Sequence, residues 1–92
     1  MQIAAERIRA LESLAATAVR QSELDLSREY VRLARRIAER QRLSIPRHFK
    51  RRMCPGCDVY QIVGINARVR LQNGHVVITC DCGEHARYPY TG

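Results

Sequence analysis

Cys54-Pro55-Gly56-Cys57 and Cys80-Asp81-Cys82-Gly83 are the two stretches whose reading decides the fold. A tetrahedral metal site of four thiolates needs two chelating pairs brought together by a hairpin, and each close cysteine pair supplies half of it. The second pair has a single residue between its cysteines, one fewer than the usual zinc ribbon, so its chelate ring is smaller and its turn tighter. Gly83 directly after it suits the positive backbone angle such a knuckle needs. His75 and His85 are spare ligands if the short pair fails to close. The expectation is one structural Zn2+ held by Cys54, Cys57, Cys80 and Cys82.

Three other uses of these cysteines are weighed against zinc. Disulfides suit a secreted mini-protein, but the N-terminal stretch lacks the apolar core of a signal peptide and no apolar run reaches membrane length, so a reducing, cytoplasmic setting is expected. A redox dithiol at Cys54 and Cys57 should follow a strand and open a helix, whereas Arg51, Arg52 and Met53 lead in and a β pattern follows. A rubredoxin-like iron carrier also uses four cysteines, and the colour of the native metal separates it from zinc.

Between the pairs, Val59-Tyr60-Gln61-Ile62-Val63 and the alternating Ala67-Arg68-Val69-Arg70-Leu71 read as strands, with Gly64 to Asn66 as a turn. Asn73-Gly74 is a strong hairpin signal and leads into His75-Val76-Val77-Ile78-Thr79. The result is a three-stranded antiparallel zinc ribbon over residues 54–92, too small to hold together by apolar burial without its metal.

Upstream, Ile3, Ile8, Leu11, Leu14, Ala15, Ala18 and Val19 recur at helical spacing over Gln2 to Arg20. A break at Gln21 to Asp25 offers Ser22, Asp25 or Ser27 as the cap of a second helix. That helix carries Leu26, Tyr30, Leu33, Ala34, Ile37 and Ala38 on one face and should stop near Leu43, because Pro46 holds Ile45 extended. Two striped helices joined by a short connection predict an antiparallel hairpin over residues 1–45, followed by a basic linker at 46–53. The fold class is therefore small α+β. Two helices alone cannot bury both stripes, so Ile3, Ile8, Leu11 and Leu14 are either core or a docking face for another protein.

The formal charge of +7 is unevenly placed. Residues 1–26 and 71–92 each carry a net −1, while 27–70 carries +9. Lys50 is the single lysine among sixteen basic residues, which favours planar, bidentate contact with phosphate. Arg28, Arg32, Arg36 and Arg40 stand four apart and form a ridge on the second helix, flanked by Arg35 and Arg42. Arg47, His48, Lys50, Arg51 and Arg52 continue it to the first cysteine pair, and Arg68 and Arg70 share a strand face that widens it. Structured nucleic acid is the natural partner. A solvated charged face is the plain alternative, since four thiolates around a divalent ion absorb some of the charge. Tyr60, Tyr88 and Tyr90 either stack on bases or pack around the ribbon.

Several motifs in this order resemble the archaeal ribonuclease P protein component 4 family, related to a small zinc-containing subunit of the eukaryotic enzyme. They are Ile45-Pro46-Arg47 leading to Cys54, Gly64-Ile65-Asn66-Ala67-Arg68-Val69-Arg70, His75-Val76-Val77-Ile78-Thr79-Cys80, Cys82-Gly83, and Arg87-Tyr88-Pro89-Tyr90. The short Cys80-Asp81-Cys82 pair departs from the family pattern. The resemblance implies a non-catalytic subunit of the ribonucleoprotein that removes the 5′ leader of precursor tRNA, with chemistry and magnesium carried by the RNA. It also implies that the helix hairpin docks on component 1, a small β-barrel protein, and that the basic residues above meet the RNA subunit. No carboxylate pair or nucleophile and base stands out, in keeping with that role. The rivals are a generic zinc-ribbon RNA-binding or ribosome-associated protein and a protein interaction adaptor.

Overall fold

The computed structural model describes residues 3–89. Helix α1 spans Ile3–Arg20 and α2 spans Leu24–Gln41, packed antiparallel as the short connection requires. Both end in the same device. Glu23 N–H reaches Ala18 O at 2.8 Å and Ser22 N–H reaches Val19 O at 3.0 Å, while Leu43 N–H reaches Ala38 O at 2.8 Å and Arg42 N–H reaches Glu39 O at 3.2 Å. These paired 6→1 and 5→2 bonds are Schellman motifs, with Ser22 at φ 61° and Arg42 at φ 54° in the left-handed position usually given to glycine. None of the three expected caps starts α2. Its N-cap is Glu23, which makes no side-chain cap bond. Ser22 closes α1 instead, and Ser27 is fully buried because its Oγ accepts the Tyr60 N–H at 3.1 Å.

Residues 46–53, read as a linker, contain a one-turn helix, α3, Arg47–Arg51. Phe49 points out of the basic run into the core, fully buried, with its ring edge-on to Tyr60 at 5.8 Å. The core is continuous: Ile8, Leu11, Ala15 and Val19 of α1 and Val31, Ala34 and Ala38 of α2 join Phe49, Met53, Cys54, Val59, Tyr60 and Cys80. Ile8 and Leu11, named as docking candidates, are 1% and 7% exposed and face this core, whereas Ile3 and Leu14 are 52% and 45% exposed. The helical stripe is therefore split, one edge inward and one outward. A carboxylate fastens the elements: Glu12 of α1 accepts from Tyr60 Oη at 2.7 Å and meets His48 Nε2 of α3 at 2.8 Å.

The sheet is antiparallel in order β1-β2-β3, with β1 Ala67–Gln72, β2 His75–Cys80 and β3 His85–Pro89. Asn73 and Gly74 take φ 48° and 78° and make the tight hairpin turn between β1 and β2. Its third strand is not the expected one. Val59, Tyr60 and Gln61 are buried in succession, without alternation, and the backbone of 60–62 finds partners elsewhere. Gln61 N–H donates to Arg52 O at 2.7 Å, Ile62 N–H to Asn66 Oδ1 at 2.7 Å, and Asn66 Nδ2 to Tyr60 O at 3.0 Å. The stretch is a buried loop with single bridges at Tyr60 and Val63. Its place in the sheet is taken by His85–Pro89, where proline is tolerated at an edge. Tyr90 lies outside the described residues.

Candidate metal centre and nucleic-acid interface

Cys54 and Cys57 lie on the turn after α3, Cys80 ends β2, and Cys82 follows in the turn before β3. The hairpin register sets Cys80 opposite Ala67, and Asp81 N–H donates to Asn66 O at 3.0 Å, so the second pair is anchored to the loop that carries the first. All four Sγ atoms lie within 4.8 Å of one another, with Cys54 to Cys82 at 3.4 Å and Cys57 to Cys80 at 3.8 Å. Four sulfurs each about 2.3 Å from a central ion stand roughly 3.8 Å apart in a tetrahedron, so the spacing fits a four-thiolate metal site. No cysteine is joined to another among the described residues, and neither His75 nor His85 belongs to the cluster. The short pair closes because Gly83, at φ 99°, turns the chain back with its N–H on Cys80 O at 2.9 Å.

The first knuckle points its amides at sulfur. Gly56 N–H and Cys57 N–H both approach Cys54 Sγ at 3.4 Å. Burial nonetheless pushes the Cys54 thiol up to about 12 and the Cys80 thiol upward. At Cys57 burial acts the same way but is outweighed by the Val59 amide and neighbouring thiols, and the group is lowered. A cation at the centre would favour the thiolate form of all four.

Helix α2 holds this knuckle with arginine. Arg28 Nε donates to Cys57 O at 3.0 Å, Arg32 Nε to Asp58 Oδ2 at 3.1 Å, and Arg35 Nη1 to Asp58 Oδ1. Spacing of four and three residues puts the three on one helical face. Burial works against the Asp58 charge, but Arg35 and Arg32 more than offset it and hold the carboxyl below its usual range. The ridge expected to face RNA therefore divides: Arg28, Arg32 and Arg35 turn to the knuckle, while Arg36, Arg40 and Arg42 stay exposed. Asp58, to which the sequence reading gives no role, receives Arg32 and Arg35.

The other basic candidates are spread over α3 and the sheet. Arg47, Lys50 and Arg52 are exposed, and Arg51 is half-buried with its guanidinium 4.9 Å from the Tyr88 ring centroid. Arg68 and Arg70 share one sheet face, and Arg87, which sequence reading left out, lies in the same row: Arg70 pairs with Val77, and Val77 with Arg87. Val77 is only 4% exposed although it lies outside the main core, as expected if arginine stems cover it. The signal for Arg87 was available only once β3 was known to be a strand.

A model of the RNAse P Rpr2/Rpp21/SNM1 subunit domain matches residues 7–83. The chain belongs to this ribonuclease P subunit family. Ribonuclease P protein component 4 of Halobacterium salinarum is 61% identical over 90 residues, covering 98% of this chain and 97% of the relative. The protein of the same name from Pyrococcus abyssi is 46% identical over 93 residues, covering 97% of this chain and 79% of the relative. Among solved structures, a chain in the cryo-EM structure of archaeal ribonuclease P with mature tRNA superposes with TM-score 0.87 at 44% identity, covering 96% of this chain and 77% of that one. The structure of Pfu Rpp21 gives TM-score 0.66 at 41% identity, covering 95% and 99%. The family resemblance carried by the motifs is thereby established, and with it a protein subunit of ribonuclease P. No described helix is long and apolar enough to cross a membrane.

Proposed function

We propose that this ribonuclease P subunit uses one structural Zn2+, bound by Cys54, Cys57, Cys80 and Cys82, to fix its sheet against α2 and so present a rigid cationic surface to ribonuclease P RNA and precursor tRNA in the cytoplasm. The division of the α2 arginines carries this reading. Four thiolates around a divalent ion leave a net charge of about −2 and Asp58 adds one more; Arg32 and Arg35 pair with Asp58, while Arg28 is shared between the Cys57 carbonyl and Asp25 Oδ1 at 2.6 Å, so the three offset this charge only in part. Ten others, Arg36, Arg40, Arg42, Arg47, Lys50, Arg51, Arg52, Arg68, Arg70 and Arg87, make no ion pair with a carboxylate among the described residues. Arginine in that number, held on packed elements, suits phosphate contacts that position an RNA. With four protein sulfurs filling a tetrahedral site, no position is left for a reactive water, which agrees with a structural metal.

The hairpin supplies the protein contact. Ile3 and Leu33 are exposed at 52% and 40% and line a cleft of about 500 Å3 between the start of α1 and the end of α2; Arg36 and Arg40 line it too and so stand at the boundary between the protein seat and the RNA-facing surface. This outward edge, with Leu14, is the proposed seat of component 1, the β-barrel subunit, and Ile8 and Leu11 support it from within. The test is reconstitution: ribonuclease P RNA plus the protein subunits, with and without this chain, assayed for 5′ leader removal at low magnesium. Omission should lower cleavage and restoring magnesium should recover part of it; equal cleavage without the chain contradicts the proposal.

A further inference from the structure

Strand β1 is an edge: the sheet runs β1-β2-β3, and every β1 residue after Ala67 is exposed. The register fixes which backbone groups point off that edge. Ala67, opposite Cys80, turns its carbonyl away from β2 to accept the Gly64 N–H at 3.0 Å, and Cys80 sends its own N–H to Glu84 O at 2.8 Å. The two therefore form a non-hydrogen-bonded pair, and by alternation so do Val69 with Ile78 and Leu71 with Val76. The N–H and C=O of Val69 and Leu71 thus point away from β2, where they meet no backbone partner among the described residues.

The side chains of this edge are as open as its backbone. Val69 and Leu71 are 42% and 69% exposed, and Val63 is 52% exposed. Val63, Val69 and Ile78 form the aliphatic side of a cleft of about 330 Å3, whose remaining lining is Gln61 and four basic side chains of α3 and its C-cap. Arg68 and Arg70 alternate with Val69 and Leu71, so they project from the other sheet face, and neither makes an ion pair with a carboxylate among the described residues.

An extended protein segment answers these features together, because its own N–H and C=O groups pair with a free strand edge while its alternate side chains face opposite ways. One set lies over Val69, Leu71 and the cleft and suits aliphatic residues. The other lies beside Arg68 and Arg70 and suits carboxylates. RNA has no such row of alternating donors and acceptors, and exposed aliphatic residues offer nothing to phosphate. A second copy of the chain fits poorly, since antiparallel pairing centred on Arg70 sets that arginine against itself.

We propose that the free edge of β1 takes up one strand of another protein, an extended segment in which aliphatic residues over Val69 and Leu71 alternate with acidic residues beside Arg68 and Arg70. This contact is separate from the helical seat proposed for component 1. Added edgewise, the segment leaves the Arg68 and Arg70 face open, and a guanidinium has donors enough to hold a carboxylate beside it and a phosphate above it.

The test uses the full, isotope-labelled chain and a capped seven-residue peptide of alternating valine and glutamate at millimolar concentration, followed by amide NMR. The Val69 and Leu71 amide signals should shift and their hydrogen exchange should slow. Val69→Pro removes one outward N–H, at an edge position where proline is tolerated, and should weaken binding about tenfold with little change in melting temperature. Arg70→Glu, at an exposed position that proline strain does not touch, should reverse the preference from the glutamate peptide to one with lysine in its place. A peptide of the same composition with its valines and glutamates in two blocks should bind less well. Equal binding of the block peptide, or Val69 and Leu71 amides that do not respond, overturns the proposal. So does a response of those amides to ribonuclease P RNA alone or to the concentration of the chain itself, which would assign the edge to RNA or to a second copy.

Discussion

Asp58 shows how much a single side chain does in this small protein. It occupies φ 67°, a left-handed position that aspartate and asparagine tolerate better than most residues, and this aims its carboxylate back at α2. There it receives Arg32 and Arg35, while Arg28 of the same face takes the Cys57 carbonyl. Asp58→Asn keeps the backbone preference and removes the charge. Because its side chain is 24% exposed and those of Arg32 and Arg35 are 49% and 38%, solvent screens both pairs, and the expected loss is only about 1 kcal/mol by denaturant unfolding. The same variant frees two arginines and should raise RNA affinity slightly; an unchanged unfolding midpoint would show that the pairs add nothing to the fold.

The elements differ in how openly the sequence announces them. Both long helices, the Asn73-Gly74 hairpin and the convergence of the cysteine pairs follow from local patterns, since periodicity, turn chemistry and ligand spacing each act within a few residues. What escaped notice depends on distant partners. The stretch Val59 to Val63 has strand composition, but Ser27 and Asn66 take its backbone hydrogen bonds, and nothing near it in the chain reveals that. Phe49 was hidden among Arg47, His48, Lys50 and Arg51, although one aromatic residue in a basic run is itself a sign of a packed turn. Phe49→Ala should therefore cost about 3–5 kcal/mol in denaturant unfolding, where a true linker position would cost almost nothing. Both Schellman turns lack the expected glycine, which blurred the helix ends. Ser22→Gly should relieve a left-handed backbone angle without touching charge and raise stability by up to about 1 kcal/mol, read as a higher melting temperature. A lower one would mean that the Ser22 side chain makes a contact worth more than the strain.

At the scale of the whole molecule, one core runs from α1 through α3 to Cys80, so the cationic surface on α2, α3 and the sheet is carried by a single packed body. Each phosphate neutralised by that body releases counterions. Arg36→Ala, at an exposed site away from the knuckle, should weaken RNA binding and lower the slope of log affinity against log salt by roughly 0.7 to 0.9, with the melting temperature unchanged. A slope equal to wild type would remove Arg36 from the interface. The proposed metal would underlie the whole arrangement, because the sheet and its flanking loops have few buried apolar residues of their own besides those shared with the helices. The most direct measurement is native mass spectrometry of the purified chain paired with circular dichroism before and after chelation. One zinc ion per chain, with reversible loss of structure when it is withdrawn at neutral pH, is the expected result. A metal-free chain that stays folded would contradict the claim that four sulfurs and an ion hold this subunit in its RNA-facing form.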